Sequence, residues 1–126
     1  MATRLFLRLY LDDETWLGPG KVQLLEQVGR TGSISAAGRA MGMSYRRAWL
    51  LVEAVNGMFD RPVVTTQLGG RGGGAAVLTP WGRELIERYR RLEQAAARAG
   101  SREIAALQRR RRRSRAGAPG RGDAAR

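Results

Sequence analysis

Residues 33–59 read SISAAGRAMGMSYRRAWLLVEAVNGMF and constrain the fold more than any other part of the chain. Ser33 stands where it can cap a short helix over Ile34 to Met41, and Gly42 suits its C-terminal end. Ser44 can cap a second helix running to about Phe59, whose apolar positions Ala48, Leu51, Val52, Val55 and Phe59 form one stripe. Only Gly42-Met43-Ser44 separates the two. So short a connection makes the helices cross steeply and closely, with the small residues Ala37 and Gly38 at the approach. Met41 and Met43 flank the turn as core plugs. A short helix, a tight glycine turn and a longer helix make a helix-turn-helix.

The flanking segments extend this unit. RLFLRLYL (4–11) alternates, with Leu5, Leu7, Leu9 and Leu11 on one face, which predicts a strand; Asp12-Asp13 then predicts a turn. GPGKVQLLEQVGRTG (18–32) carries proline near its start and glycine at its end, with Val22, Leu25 and Val28 on one face and Leu24 beside them, which predicts a helix. PVVTTQL (62–68) and AAVLT (75–79) are short β-branched runs around GGRGGG, so the glycines are the tip of a hairpin. Thr79 and Pro80 open a helix to about residue 99, with Trp81, Leu85, Tyr89, Leu92 and Ala96 at helical spacing. Gly100-Ser101 breaks or kinks it, and Ile104 and Leu107 predict one or two further turns. The expected architecture is therefore mainly α with a small β wing: a winged helix-turn-helix over residues 1–108 with a long C-terminal helix. Residues 109–126 lack apolar periodicity and are expected to form a disordered arginine-rich tail.

Composition narrows the chemistry. The chain has 126 residues, no cysteine and no histidine, which excludes cysteine-based zinc sites, disulfides, thiol nucleophiles and a Ser-His-Asp triad. Lys21 is its only lysine. With most general bases and nucleophiles missing, the expectation is no enzyme, no cofactor and no metal. The net charge is +12, of which residues 109–126, with eight arginines against Asp123, carry +7. Such a balance points to a polyanion, nucleic acid before membrane. No apolar run approaches a membrane span, and the N-terminus does not read as a signal peptide, so a cytoplasmic, nucleoid-associated location is expected.

The glycine cluster 69–74 also satisfies a loose dinucleotide fingerprint, Gly70-x-Gly72-x-x-Ala75. That fingerprint works only where the glycines lead into a helix N-terminus, and here they lead into a strand. Two readings of the loop remain: an idle flexible turn, or a bare backbone carrying Arg71, Gly72 and Gly73 into a DNA minor groove or along the phosphates. Its place after a helix-turn-helix favours the second.

Ser44, Tyr45, Arg46 and Arg47 open the second helix, the end that reaches base edges in the major groove. Adjacent arginines there oppose the helix macrodipole and call for an anion. Ser44 can hold a phosphate, and arginine suits guanine bidentately. Ser33 and Ser35 are both phosphate-contact candidates and ordinary capping residues. Trp49 lies beside the buried stripe, where core packing is its expected role. The terminal helix, about 30 Å long if it runs 20 residues, outreaches a small domain. Leu85, Tyr89, Leu92 and Ala96 are therefore expected to pair with a second copy, giving a homodimer matched to two half-sites.

LGPGKVQLLEQVGRTGSISAAGRAMGMSYRRAWLLVEAVN followed by GGRGGGAAVLTPWG resembles the DNA-binding domain of the molybdate-dependent (ModE-type) transcriptional regulators, which are related to the LysR-type winged helix-turn-helix. The resemblance covers about residues 17–95 and rests on the combination GSIS, SYRRAW, GGRGGG and LTPWG. It implies a dimer through the terminal helix, operator binding by Ser44, Tyr45, Arg46 and the Arg71 wing, and control of molybdenum uptake or molybdoenzyme genes. Full-length members of that family carry molybdate-binding domains after the long helix, where this sequence has its arginine tail. The expectation is a sequence-specific regulator without its own oxyanion-sensing domain, standing alone or working with a separate sensing partner. The rival is an architectural protein that binds DNA by charge and shape alone.

Overall fold

A computed structural model describes residues 4–67 and 75–112. These form five helices and two small antiparallel sheets: β1 (Leu9–Tyr10), β2 (Trp16–Leu17), α1 (Pro19–Thr31), α2 (Ile34–Ala40), α3 (Tyr45–Asn56), β3 (Val64–Gln67), β4 (Ala75–Leu78), α4 (Pro80–Ala99) and α5 (Ser101–Arg109). Strand β1 pairs with β2, and β3 with β4 in the register Val64 to Leu78 through Gln67 to Ala75. The architecture is mainly helical with minor β content. Among the described residues no helix is long and apolar enough to cross a membrane.

The core is aliphatic. Val22, Leu24, Leu25 and Val28 of α1 meet Ile34 and Ala37 of α2, Ala48, Val52 and Val55 of α3, and Val63, Val64, Ala76 and Leu78 of the β3–β4 pair. Leu85 and Tyr89 of α4 complete it. Each buried valine, leucine or isoleucine among them contributes about 1.5–3 kcal/mol of transfer free energy.

The helix boundaries follow the expected caps. Helix α1 begins at Pro19 and ends at Gly32, whose positive φ of 72° lets its N–H reach the Val28 carbonyl. The Ser33 hydroxyl accepts from the Ala36 N–H at 3.0 Å, the Ser44 hydroxyl from Arg47 N–H at 3.1 Å and the Thr79 hydroxyl from Gly82 N–H at 2.9 Å. Helices α2 and α3 pack as closely as the small residues suggested: a Cβ on Gly38 would lie 3.0 Å from Ala48 Cβ. Met41 and Met43 pack at the edge of the core beside the turn.

Three expectations are corrected. Residues 4–11 do not form one strand; only Leu9–Tyr10 is paired, to a two-residue strand too short to leave a periodic trace. The turn between them is built by the Asp12 carboxylate, which accepts from the N–H groups of Glu14 and Thr15 and from the Thr15 hydroxyl. Helix α3 stops at Asn56 rather than near Phe59, because the Asn56 side chain turns to the sheet. Its amide oxygen accepts from Val63 N–H at 2.7 Å and Val64 N–H at 3.1 Å, and its amide nitrogen donates to the Val64 carbonyl at 3.1 Å. Phe59 instead meets the Trp81 ring edge-on at 5.3 Å.

The third correction concerns α4. Leu85 and Tyr89, expected to face a second copy, are buried in the chain's own core. The residues N-terminal to β1 lie across α4, and the Tyr89 hydroxyl donates to the Leu7 carbonyl at 2.6 Å. Burial, with Glu93 nearby, raises the Tyr89 hydroxyl above the usual tyrosine pKa. Arg90 ties α4 to α1 through a two-bond pairing with Glu26 (3.1 and 2.8 Å) and also binds Glu93 at 2.7 Å. The Glu26 bonds hold its guanidinium above the ordinary arginine pKa.

Candidate nucleic-acid interface

The N-terminal turn of α3 stands out of the protein. Ser44, Tyr45, Arg46 and Arg47 are all exposed, while Ala48 directly after them is fully buried. Three forces set this arrangement. Ala48 and Val52 anchor α3 on α1 and α2, Gly38 lets α2 sit close behind, and Gly42, at φ 71°, turns the chain sharply between the helices. The first turn of α3 contains no acidic residue. Among the described residues neither Arg46 nor Arg47 has a carboxylate partner, whereas Arg61, Arg88 and Arg90 do. The free N–H groups, the positive end of the helix dipole and two unpaired guanidinium groups therefore point the same way.

Helix α2 adds to this edge. Ser33 and Ser35 are half-buried at its start; the Ser33 hydroxyl is engaged as the cap, and the Ser35 hydroxyl accepts from Arg39 at 3.1 Å. Arg39, in the last turn of α2, is exposed.

The β3–β4 pair is fixed to both helices that flank the turn. Asn56 holds its start to the end of α3, and Ala76 N–H donates to the Gly32 carbonyl at 2.9 Å, next to Ser33. Ala75–Leu78 is a strand, as expected, and not the helix whose N-terminus a dinucleotide fingerprint needs to seat a pyrophosphate. Arg71, Gly72 and Gly73 lie outside the described residues.

Trp49 is not a core residue. It is 40% exposed and Leu50 47%, beside Tyr45 at 56%. Its place beside the buried stripe predicts core packing, and the structure leaves the ring exposed instead. A helical wheel sets Leu50 about 200° from Ala48, on the far side, and that signal was available. On α4 the expected pairing surface is reduced to Leu92, 41% exposed, and half-buried Ala96. Arg8 and Lys21 both lie against the Trp16 ring, at 3.8 and 3.5 Å from its centre. Burial and the charge of Arg8 lower Lys21 below the usual lysine pKa. No group of three or more acidic side chains among the described residues is arranged to hold a metal ion.

No family model matches the chain. Curated relatives do. The molybdenum-pterin-binding protein MopB of Rhodobacter capsulatus is 51% identical over 81 residues, 64% of this chain and 30% of MopB. The molybdenum transport protein ModE of Azotobacter vinelandii is 38% identical over 94 residues, 73% of this chain and 35% of its own length. The DNA-binding transcriptional dual regulator ModE of Escherichia coli K12 is 35% identical over 94 residues, 75% and 36% respectively. The chain is thus homologous to the ModE and Mop proteins, and it spans about a third of the length of the relatives it matches. These relatives are named as regulators, transport proteins and molybdenum-pterin-binding proteins rather than as enzymes.

Proposed function

We propose that this chain is a sequence-specific DNA-binding transcriptional regulator built as a winged helix-turn-helix of the LysR-like, ModE type. The observation that carries it is the exposed, acid-free first turn of α3, with Tyr45, Arg46 and Arg47 outward over a rigidly packed α2. In this reading α3 enters the major groove, where Arg46 and Arg47 hydrogen-bond base edges and Tyr45 and Ser44 hold the backbone. Ser33 and Ser35 sit at the phosphates. The β3–β4 pair is the wing; Gln67 and Ala75, its described ends, lead to the segment bearing Arg71, Gly72 and Gly73, which tracks the minor groove or the backbone. The Escherichia coli relative's name as a DNA-binding transcriptional regulator supports the same reading.

Two copies would pair through the distal half of α4 and α5, where Leu92, Ala96 and Leu107 remain available. The names of the relatives support a role connected to molybdenum and to transcriptional regulation; in this reading it is exercised on double-stranded DNA. The arginine-rich residues 109–126 would strengthen binding to any duplex and steepen its salt dependence.

The test is a competition between a duplex enriched from a random library and random duplex of equal length. Specific readout gives a preference of roughly 10³-fold or more. Near parity would leave the architectural reading in its place. Arg46→Ala should relax base preference at one position at a cost of about 1–3 kcal/mol.

A further inference from the structure

The outward side of α3 is more apolar than exposure to water explains. Tyr45 and Trp49 lie one turn apart, as do Arg46 and Leu50, so the four side chains form two adjoining rows on the helix surface. Packing of α3 is already provided by Ala48, Val52 and Val55, and neither Trp49 nor Leu50 belongs to the core or to the partly buried side chains around it. A contiguous exposed apolar patch rimmed by polar groups marks a binding surface.

Charge selects the occupant. Arg46 and Arg47 stand on the same turn and Arg39 at the end of α2, while the first carboxylate along α3 is Glu53, one turn beyond Trp49. The partner must be anionic around its edge and apolar at its centre. A DNA major groove has that pattern: phosphates line its walls, and the 5-methyl group of each thymine projects from its floor.

We propose that Trp49 and Leu50 read thymine by contact with its 5-methyl group, fixing T·A pairs at one or two positions of the bound site. This role is separate from hydrogen bonding by Arg46, and it rests on the DNA-binding reading above. The 12 Å width of the major groove admits a helix carrying side chains of this bulk.

Deoxyuridine tests it, because it lacks the methyl group and keeps every hydrogen-bonding atom of thymine. The full chain is titrated with the library-enriched duplex in which each dT is replaced singly by dU. At one or two positions dU should weaken binding about fourfold, the effect of burying one CH₂-sized group. In Trp49→Ala or Leu50→Ala the dT duplex should bind more weakly, and dT and dU should become equivalent at the matching position. Trp49→Phe should keep part of the discrimination, and an unchanged unfolding midpoint in each variant shows that folding is intact. The proposal is overturned if no dU position matters, if the dU penalty survives in both alanine variants, or if Trp49→Ala binds as wild type does. Specific binding with uniform indifference to dU sinks this inference alone; a library that enriches no sequence sinks the DNA-readout proposal with it.

Discussion

Asn56 is the joint between α3 and the β3–β4 pair, and its removal should be among the costliest single changes on the surface-facing half of the fold. Its side chain makes three hydrogen bonds, two of them from the N–H groups of Val63 and Val64, residues that are almost wholly buried. Asn56→Ala leaves both donors without an acceptor in a site that water reaches poorly. Each orphaned buried donor costs about 1–3 kcal/mol, so the two together cost roughly 2–6 kcal/mol, and the lost donation to Val64 adds about 1 more. Against a typical total stability of about 5–15 kcal/mol, that is a large fraction. Asn56→Asp keeps one oxygen to accept both N–H groups, but its second carboxylate oxygen, an acceptor, replaces the donor and faces the Val64 carbonyl oxygen. It should therefore also destabilise, and less so at a pH where the carboxyl is protonated. Urea unfolding measures both, with the loss appearing as a lower midpoint at constant slope. Hydrogen exchange at Val63 and Val64 should accelerate in the alanine variant. A loss below about 1 kcal/mol, or unchanged hydrogen exchange at Val63 and Val64 in the alanine variant, would refute the reasoning.

Gly82→Ala should destabilise by about 1–3 kcal/mol, since the new Cβ would collide with the Val63 carbonyl, a backbone atom that cannot swing aside; thermal melting checks it, and a neutral result would show that α4 can shift. Tyr89→Phe removes the hydroxyl that donates to the Leu7 carbonyl at 2.6 Å and should cost about 1 kcal/mol, with faster proteolysis N-terminal to β1 as the local readout. The Asp12 carboxyl, stabilised as the anion first by the Glu14 N–H and then by Thr15, should titrate below 3.8 in an NMR pH series. Its folded pKa is depressed, so the stability it adds to the β1–β2 turn is present above the unfolded value and lost as the pH falls through the folded one. A titration midpoint at or above 3.8 would contradict the hydrogen-bond geometry.

The helix pair was legible because local chemistry determines it. Ser33, Ser44 and Thr79 each cap the helix they precede, and Gly32 and Gly42 take the positive φ that their positions demand. What escaped depends on partners distant in the chain. Nothing near Tyr89 says that Leu7, 82 positions earlier, will take its hydroxyl's hydrogen bond, and a stripe facing its own core has the same spacing as one facing another copy. The Glu26–Arg90 pairing spans 64 residues and leaves no local mark. Asn56 looks like one more residue of a helix that runs on to Phe59 until its sheet partners are seen. In the candidate interface, the exposure of Ser44 through Arg47 agrees with the sequence pattern, whereas Trp49, beside the buried stripe in sequence, lies exposed.

Anchoring the two-stranded sheet at both ends, to Asn56 at one and to Gly32 at the other, has a mechanical consequence. The sheet and α3 form a gauge of set opening, not a jaw that closes on what it holds. If that gauge meets a double helix, the burden of adjustment falls on the nucleic acid. Base steps that bend or widen cheaply would then be preferred even where no side chain touches them.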